Sequence, residues 1–69
     1  MKYVHYKYFN NDSINWKEEW ILLEDESLEW ILEFLREKHQ TFEIEEEDWY
    51  YQSERTYFPA EIILLNIIR

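Results

Sequence analysis

Three serines (Ser13, Ser27, Ser53) and two histidines (His5, His39) are the residues with which this chain could build a hydrolytic nucleophile and its base. A catalytic pair of this kind works in a cleft whose dry walls shift its pKa values. A chain of 69 residues has little room for such a cleft. His5 reads instead as a residue on a sheet face, and His39 as a cation offsetting the negative end of a helix. Sixteen Asp and Glu allow so many carboxylate pairs by chance that no spacing among them singles out glycoside hydrolysis. The runs Glu24-Asp25-Glu26 and Glu45-Glu46-Glu47-Asp48 offer the hard oxygen ligands that Ca²⁺ and Mg²⁺ prefer. Successive residues of a strand point to opposite faces, however, so a run of four does not converge on one ion. The chain has neither Gly nor Cys. Phosphate-cradling loops, dinucleotide fingerprints, EF-hands, thiolate metal sites and disulfides are thereby excluded. The expectation is a protein that is not an enzyme and carries no cofactor or metal.

The carboxylates carry another chemistry, that of an anionic surface. Sixteen acids against seven Lys and Arg give a net charge of −9 and a pI near 4.5. The imbalance is concentrated. Between Glu18 and Asp48, 13 acids meet only Arg36 and Lys38, which leaves −11, while the remainder of the chain carries +2. A small domain needs a net charge of only about 2–8 in magnitude for solubility, and crowding like charges costs stability. Direct binding to nucleic acid or to an anionic membrane requires basic patches and is not expected.

The elements that must hold these groups follow from the apolar pattern. With 46% hydrophobic residues and four Trp, six Tyr and four Phe, the chain can build a core despite its length. One domain over 1–69 is expected. Residues 2–9 alternate, with Val4, Tyr6 and Tyr8 on one face and His5 and Lys7 on the other among Tyr3 and Phe9, which predicts a strand. Asn10-Asn11-Asp12-Ser13 is a turn signal, because Asn and Asp tolerate positive φ and bond locally to the backbone. Residues 14–23 fit two patterns. As a strand, Ile14, Trp16, Trp20 and Leu22 share a face interrupted by Glu18; as a helix capped by Ser13, Trp16, Trp20 and Leu23 recur at i, i+4, i+7. The strand is preferred, since the turn supplies the first strand with a partner. A helix over 26–39, capped by Asp25, is the clearest element. Leu28, Ile31, Leu32 and Leu35 form its core stripe, acids stand at its start, and Arg36, Lys38 and His39 at its end. Residues 41–52 read as a strand with Phe42 and Ile44 on one face and Glu43, Glu45 and Glu47 on the other, outer face. The Glu45-Glu46-Glu47-Asp48 run either bulges that strand or turns it into Trp49-Tyr50-Tyr51. The run Ile62–Ile68 is apolar on both sides and suits a central buried strand, although Pro59 and Glu61 also fit a first helical turn. The resulting fold class is α+β: an antiparallel β-β-α-β-β sheet with the amphipathic helix on one face.

On these elements the acids form rows. Glu26, Glu29, Glu33 and Glu37 follow the helix at spacings of three and four, with Cβ atoms about 5–6 Å apart. Glu43, Glu45 and Glu47 project from one strand face at steps of about 6.8 Å, with Glu46 and Asp48 beside them. One nucleic-acid strand carries a charge per ~3.4 Å of axis rise, so two carboxylate rows on rigid elements present a basic groove with something like a phosphate array. Trp30 falls among Glu26, Glu33 and Glu37, roughly 160° from the centre of the leucine stripe at 100° per residue. An aromatic ring encircled by polar groups is a typical hot spot and could stack on a partner's Arg. Equally, it could pack on 14–23 or at a homodimer seam. Phe34 lies between the two faces, and Trp49 and Tyr51 repeat the aromatic–acid mixture on the outer strand face.

In size and charge, the chain resembles the DNA-mimic inhibitors that viruses direct against host CRISPR effectors, restriction enzymes or uracil-DNA glycosylases. That resemblance implies an anti-CRISPR-like viral protein acting in the host cytoplasm. No motif carries it residue by residue. The leading expectation is an acidic inhibitor occupying the basic nucleic-acid-binding groove of another protein, through Glu26, Glu29, Trp30, Glu33, Glu37, Glu43, Glu45, Glu46, Glu47, Asp48 and Trp49. An immunity protein or antitoxin neutralising a basic toxin would use the same physics. A structural homo-oligomer, sealed by Trp30, Phe34 and the C-terminal Ile/Leu run, is the reading of another class. The opening residues lack the apolar segment of a secretory signal, and no apolar run reaches membrane length. A cytoplasmic protein is expected.

Overall fold

The computed structural model describes residues 1–46 and 54–69. Strand β1 (Lys2–Phe9) is central, with β2 (Lys17–Leu23) on one side and β5 (Glu61–Ile68) on the other, both antiparallel to it. Helix α1 (Leu28–Lys38) covers one face of this sheet. A second sheet consists of β3 (Thr41–Glu46) and β4 (Glu54–Phe58), also antiparallel. The fold is α+β, as the alternation and the helical stripe imply.

The alternation in β1 works as expected. Val4, Tyr6 and Tyr8 are buried and meet Ile31 and Leu35 of α1 together with Leu23 of β2. Across the sheet, Ile21 lies opposite Val4 and Ile62 opposite Tyr8, so the same parity runs through all three strands. Segment 14–23 is a strand rather than a helix, although it begins only at Lys17, and Ile14 stays in water. The preceding turn closes by bonds that need no Gly. Ser13 N donates to Asn10 O at 3.0 Å, and Asp12 N donates to the Asn10 side-chain oxygen at 3.1 Å. Positive φ is not used there or at any other described residue, so side-chain bonding alone substitutes for Gly.

Four local expectations are corrected. The helix spans Leu28–Lys38, and its cap is Ser27, whose hydroxyl accepts from Trp30 N at 3.2 Å. Asp25 instead approaches the N-terminal ammonium at 3.8 Å. Glu26 sits in the tight turn ahead of the helix, its N–H donating to Glu24 O at 2.8 Å and its carbonyl accepting from the buried Lys2 Nζ at 3.0 Å. The core stripe is rotated: Ile31 and Leu35 are fully buried and Phe34 packs beside them, whereas Leu28 is 56% exposed. Among the described residues, strand β5 is an edge strand, and only one of its faces is covered. Between His5 and Tyr6 the register with β1 shifts, so Leu65 is an extra residue without a partner. That bulge lets Ile62, Leu64 and Ile67 all face the core despite their mixed parity.

The expected strand over 41–52 is only its first half. Described pairing ends at Glu46↔Glu54, and β4 is an additional strand that the run Glu54–Phe58 does not advertise by hydrophobicity. Phe42 and Ile44, expected on the inner face of the strand, are about half exposed, and among the described residues the ring of Phe42 meets its hairpin neighbours Tyr57 and Arg55. This hairpin stands away from the body and gives the molecule extents of 49 × 26 × 15 Å. Its start is fixed by neighbours of α1: Ala60 N donates to Arg36 O at 3.3 Å, and Asn10 Nδ2 to His39 O at 2.8 Å. Thr41 Oγ1 is buried without a hydrogen-bond partner. Thr41→Val, which removes that orphan at nearly equal volume, should therefore leave the thermal midpoint unchanged or raise it; a lower midpoint would show that the hydroxyl is satisfied.

Candidate functional site

The helix places Glu29, Glu33 and Glu37 at i, i+4, i+8 on its solvent side, opposite Ile31 and Leu35, and all three are exposed. At 1.5 Å of rise per residue, successive carboxylates are stepped by about 6 Å along the axis. This is about half the axial charge density of one nucleic-acid strand. Among the described residues no Lys or Arg nitrogen lies within 4.0 Å of a carboxylate oxygen; the ion pairs formed involve only the N-terminus, His5 and His39. Arg36 is the nearest cation by position, lining with Glu33, Glu37 and Pro59 an open depression of about 260 Å³.

Trp30 borders this ridge. Its ring stacks on Phe34 with centroids 5.1 Å apart and planes within 7°, and it remains 41% exposed. Because the true core line passes between Ile31 and Leu35, Trp30 lies roughly 120° from it at 100° per residue. It therefore stands at the margin of the wet face rather than at its middle, held by a side chain that is itself anchored in the core.

The rest of the expected array is not gathered here. Glu26 lies outside the helix and is half-buried. Glu43 is exposed on β3 opposite Thr56. The register shift between Ile44 and Glu46 takes Glu45 out of the pairing and puts Glu46 opposite Glu54, so the strand carries the bulge that the acidic run offers as one of its two readings. Glu47, Asp48, Trp49 and Tyr51 lie outside the described residues. Among the described residues no group of three or more His, Cys, Asp and Glu is arranged to hold a metal, and no helix is long and apolar enough to cross a membrane.

Two arrangements escaped the sequence reading. The first is a buried polar chain under the end of the helix. Tyr6 Oη donates to Glu19 Oε2 at 2.9 Å, and its oxygen lies 2.6 Å from His39 Nε2. The phenol has one proton, so with Glu19 as its acceptor the imidazole must donate to it from Nε2. Tyr8 stacks on the same imidazole at 3.7 Å. Burial pushes the Tyr6 phenol far above its ordinary range, reinforced by its bond to Glu19. Burial also lowers the His39 pKa, outweighing the attraction of Glu19, and the Lys38 and Lys17 charges act in the same direction as burial. The folded protein thus disfavours the proton that the unfolded chain binds near pH 6.5. His39 contributes stability above that pH and loses it as the pH falls below. His39→Gln should flatten the difference in urea midpoint between pH 7.5 and pH 5.5; equal slopes in both proteins would remove His39 as its source. The parity that puts Glu19 on the core side was readable, but its partners 13 and 20 residues away were not.

The second is the other face of the three-stranded sheet, which no described element covers. Its alternation was visible in Trp16, Trp20 and Leu22. The chain matches no protein-family model, no curated protein and no solved structure.

Proposed function

We propose that this is a binding protein that inserts its acidic helix ridge into the cationic nucleic-acid-binding groove of another protein and so acts as a decoy inhibitor. The observation that carries the reading is that this ridge forms no ion pair among the described residues. Glu29, Glu33 and Glu37 stand on one exposed face with no Lys or Arg paired to them among the described residues. Self-repulsion along such a ridge costs stability, and a basic groove would relieve it. Helix α1 is held to the sheet by Ile31 and Leu35, so the row is presented on a stiff support, and the Trp30–Phe34 stack offers a flat ring beside it for a partner's guanidinium.

Compared with the array read from sequence, the proposed contact is narrower. It rests on Glu29, Trp30, Glu33 and Glu37, with Glu43 as an outlying charge on the hairpin. The test is affinity capture from lysate at low salt, elution with high salt, and mass spectrometry. A nucleic-acid-processing protein released by salt supports the reading. Capture that resists salt, or that recovers only proteins without a basic groove, contradicts it.

A further inference from the structure

We propose that a second copy of this chain packs against the outer face of the β2-β1-β5 sheet, forming a two-fold sheet-on-sheet dimer. The registers define this face without ambiguity. Tyr3 lies between Leu22 and Ile68, His5 between Trp20 and Asn66, and Lys7 between Glu18 and Ile63, all on the side away from α1. The bulge adds Leu65 to the same side. Tyr3, Trp20, Leu22, Ile63, Leu65 and Ile68 are each 43–53% exposed, and Trp16 closes one end at 40%. Taking about 200 Å² for a whole aromatic side chain and about 100 Å² for an aliphatic one, these seven residues expose roughly 450 Å² of largely apolar surface. Two such faces bring roughly 900 Å² together before the polar rim is added, close to the ~1,200 Å² at which stable interfaces begin.

Charge selects the occupant. Of the outward positions on the three strands, only Lys7, Glu18 and Glu61 are ionised, which gives −1 on a chain of −9. Two of the three already have partners: Glu18 Oε2 is 3.2 Å from His5 Nε2, and Lys7 Nζ sits 5.4 Å from the centroid of Trp16. His5 in turn stacks on Trp20, centroids 4.4 Å apart and planes within 3°. The face is therefore largely apolar and its charges locally satisfied, while the carboxylates of the helix, unpaired among the described residues, are on the opposite side. Two copies meeting here keep their helix ridges outward, and a self-complementary face closes with two-fold symmetry. Facing sheets of this kind pack about 10 Å apart. A strongly charged partner, by contrast, finds no complement on this surface. The inference does not depend on the proposed function, because the ridge and the outer face belong to opposite sides of the sheet.

Sedimentation equilibrium of the pure protein tests it. The expected result is twice the 8.9 kDa chain mass at micromolar concentration. Association should strengthen with added salt, since salt screens the repulsion between two acidic chains while leaving the apolar contact intact. Ile63→Lys and Leu65→Lys should each raise the dissociation constant by at least about 30-fold, as loss of a hot-spot contact does. Leu28→Lys, on the helix side and at least as exposed, should leave it unchanged. Circular dichroism confirms that each variant is folded, and if one is not, the other decides. In the wild type itself, dilution below the dissociation constant should shift tryptophan emission to the red as Trp16 and Trp20 enter water. A wild-type monomer, a dimer that survives the folded Lys variants or is equally broken by Leu28→Lys, or dissociation without a tryptophan shift would each overturn the proposal.

Discussion

Ile31→Ala is expected to remove about 2–5 kcal/mol of folding stability. Ile31 is fully buried and, with Leu35, joins the helix to Val4, Tyr6 and Tyr8 of the central strand. A chain of 69 residues has in total only about 3–10 kcal/mol to lose, so a large fraction of the variant should be unfolded at 25 °C. Leu28→Ala is the instructive contrast. It lies in the same leucine pattern, yet with more than half of its surface in water its loss should cost less than about 1 kcal/mol. Urea titration followed by circular dichroism measures both. If the two substitutions cost the same, the rotated stripe is wrong.

Reversing Glu29, Glu33 and Glu37 together to Lys should weaken binding to the captured partner by about 100-fold. Each reversal replaces an attraction of roughly 0.2–1 kcal/mol with a repulsion of similar size, and 1.4 kcal/mol is a factor of ten. The effect should fall mainly on the association rate and should fade as salt is raised. Trp30→Ala, which alters no charge, should instead speed dissociation and leave the salt dependence intact. Surface plasmon resonance across a salt series separates the two. A partner that tolerates the triple reversal would eliminate the ridge as the contact. The three Glu make no ion pair among the described residues, but Glu29 stands in the first helical turn, where a Lys opposes the helix dipole. Circular dichroism must therefore show the triple variant folded before its loss of binding is assigned to the ridge.

What was legible in the sequence depended on whether the signal was local. The parity of β1, the Asn-Asn-Asp-Ser turn and the existence of the helix are properties of neighbouring residues, and each is found where the pattern puts it. The helix start was misplaced because Asp25 and Ser27 are both competent caps, and only the packing of Ile31 and Leu35 decides which is used. The pairing under the acidic run of β3 shifts at a single residue: a bulge or a turn there is legible in the sequence, but which residue leaves the pairing depends on the register with β4, a strand that the sequence does not advertise. Likewise, Ile62–Ile68 is apolar on both sides, which hydropathy reads as burial on both sides. The described residues cover one side only, and a run of isoleucines does not reveal what lies over it. For the site, the exposed Glu29–Glu33–Glu37 ridge was readable from helical spacing, whereas the Glu19–Tyr6–His39 chain joins three distant segments and was not.

The pairing of β1 with β5 has a consequence for how the protein is made. The middle strand emerges first from the ribosome, but one of its two neighbours is residues Glu61–Ile68. Until those residues have been synthesised, β1 and β2 form a two-stranded hairpin that only α1 can cover, and a hairpin by itself is marginal in water. Closure of the sheet must wait for a contact spanning nearly the whole described chain, the kind of distant pairing that slows folding. Assembly of this domain therefore waits for the synthesis of β5, and a nascent chain stalled before Glu61 would leave the β5 side of Val4, Tyr6 and Tyr8 open, with only β2 and α1 to cover them.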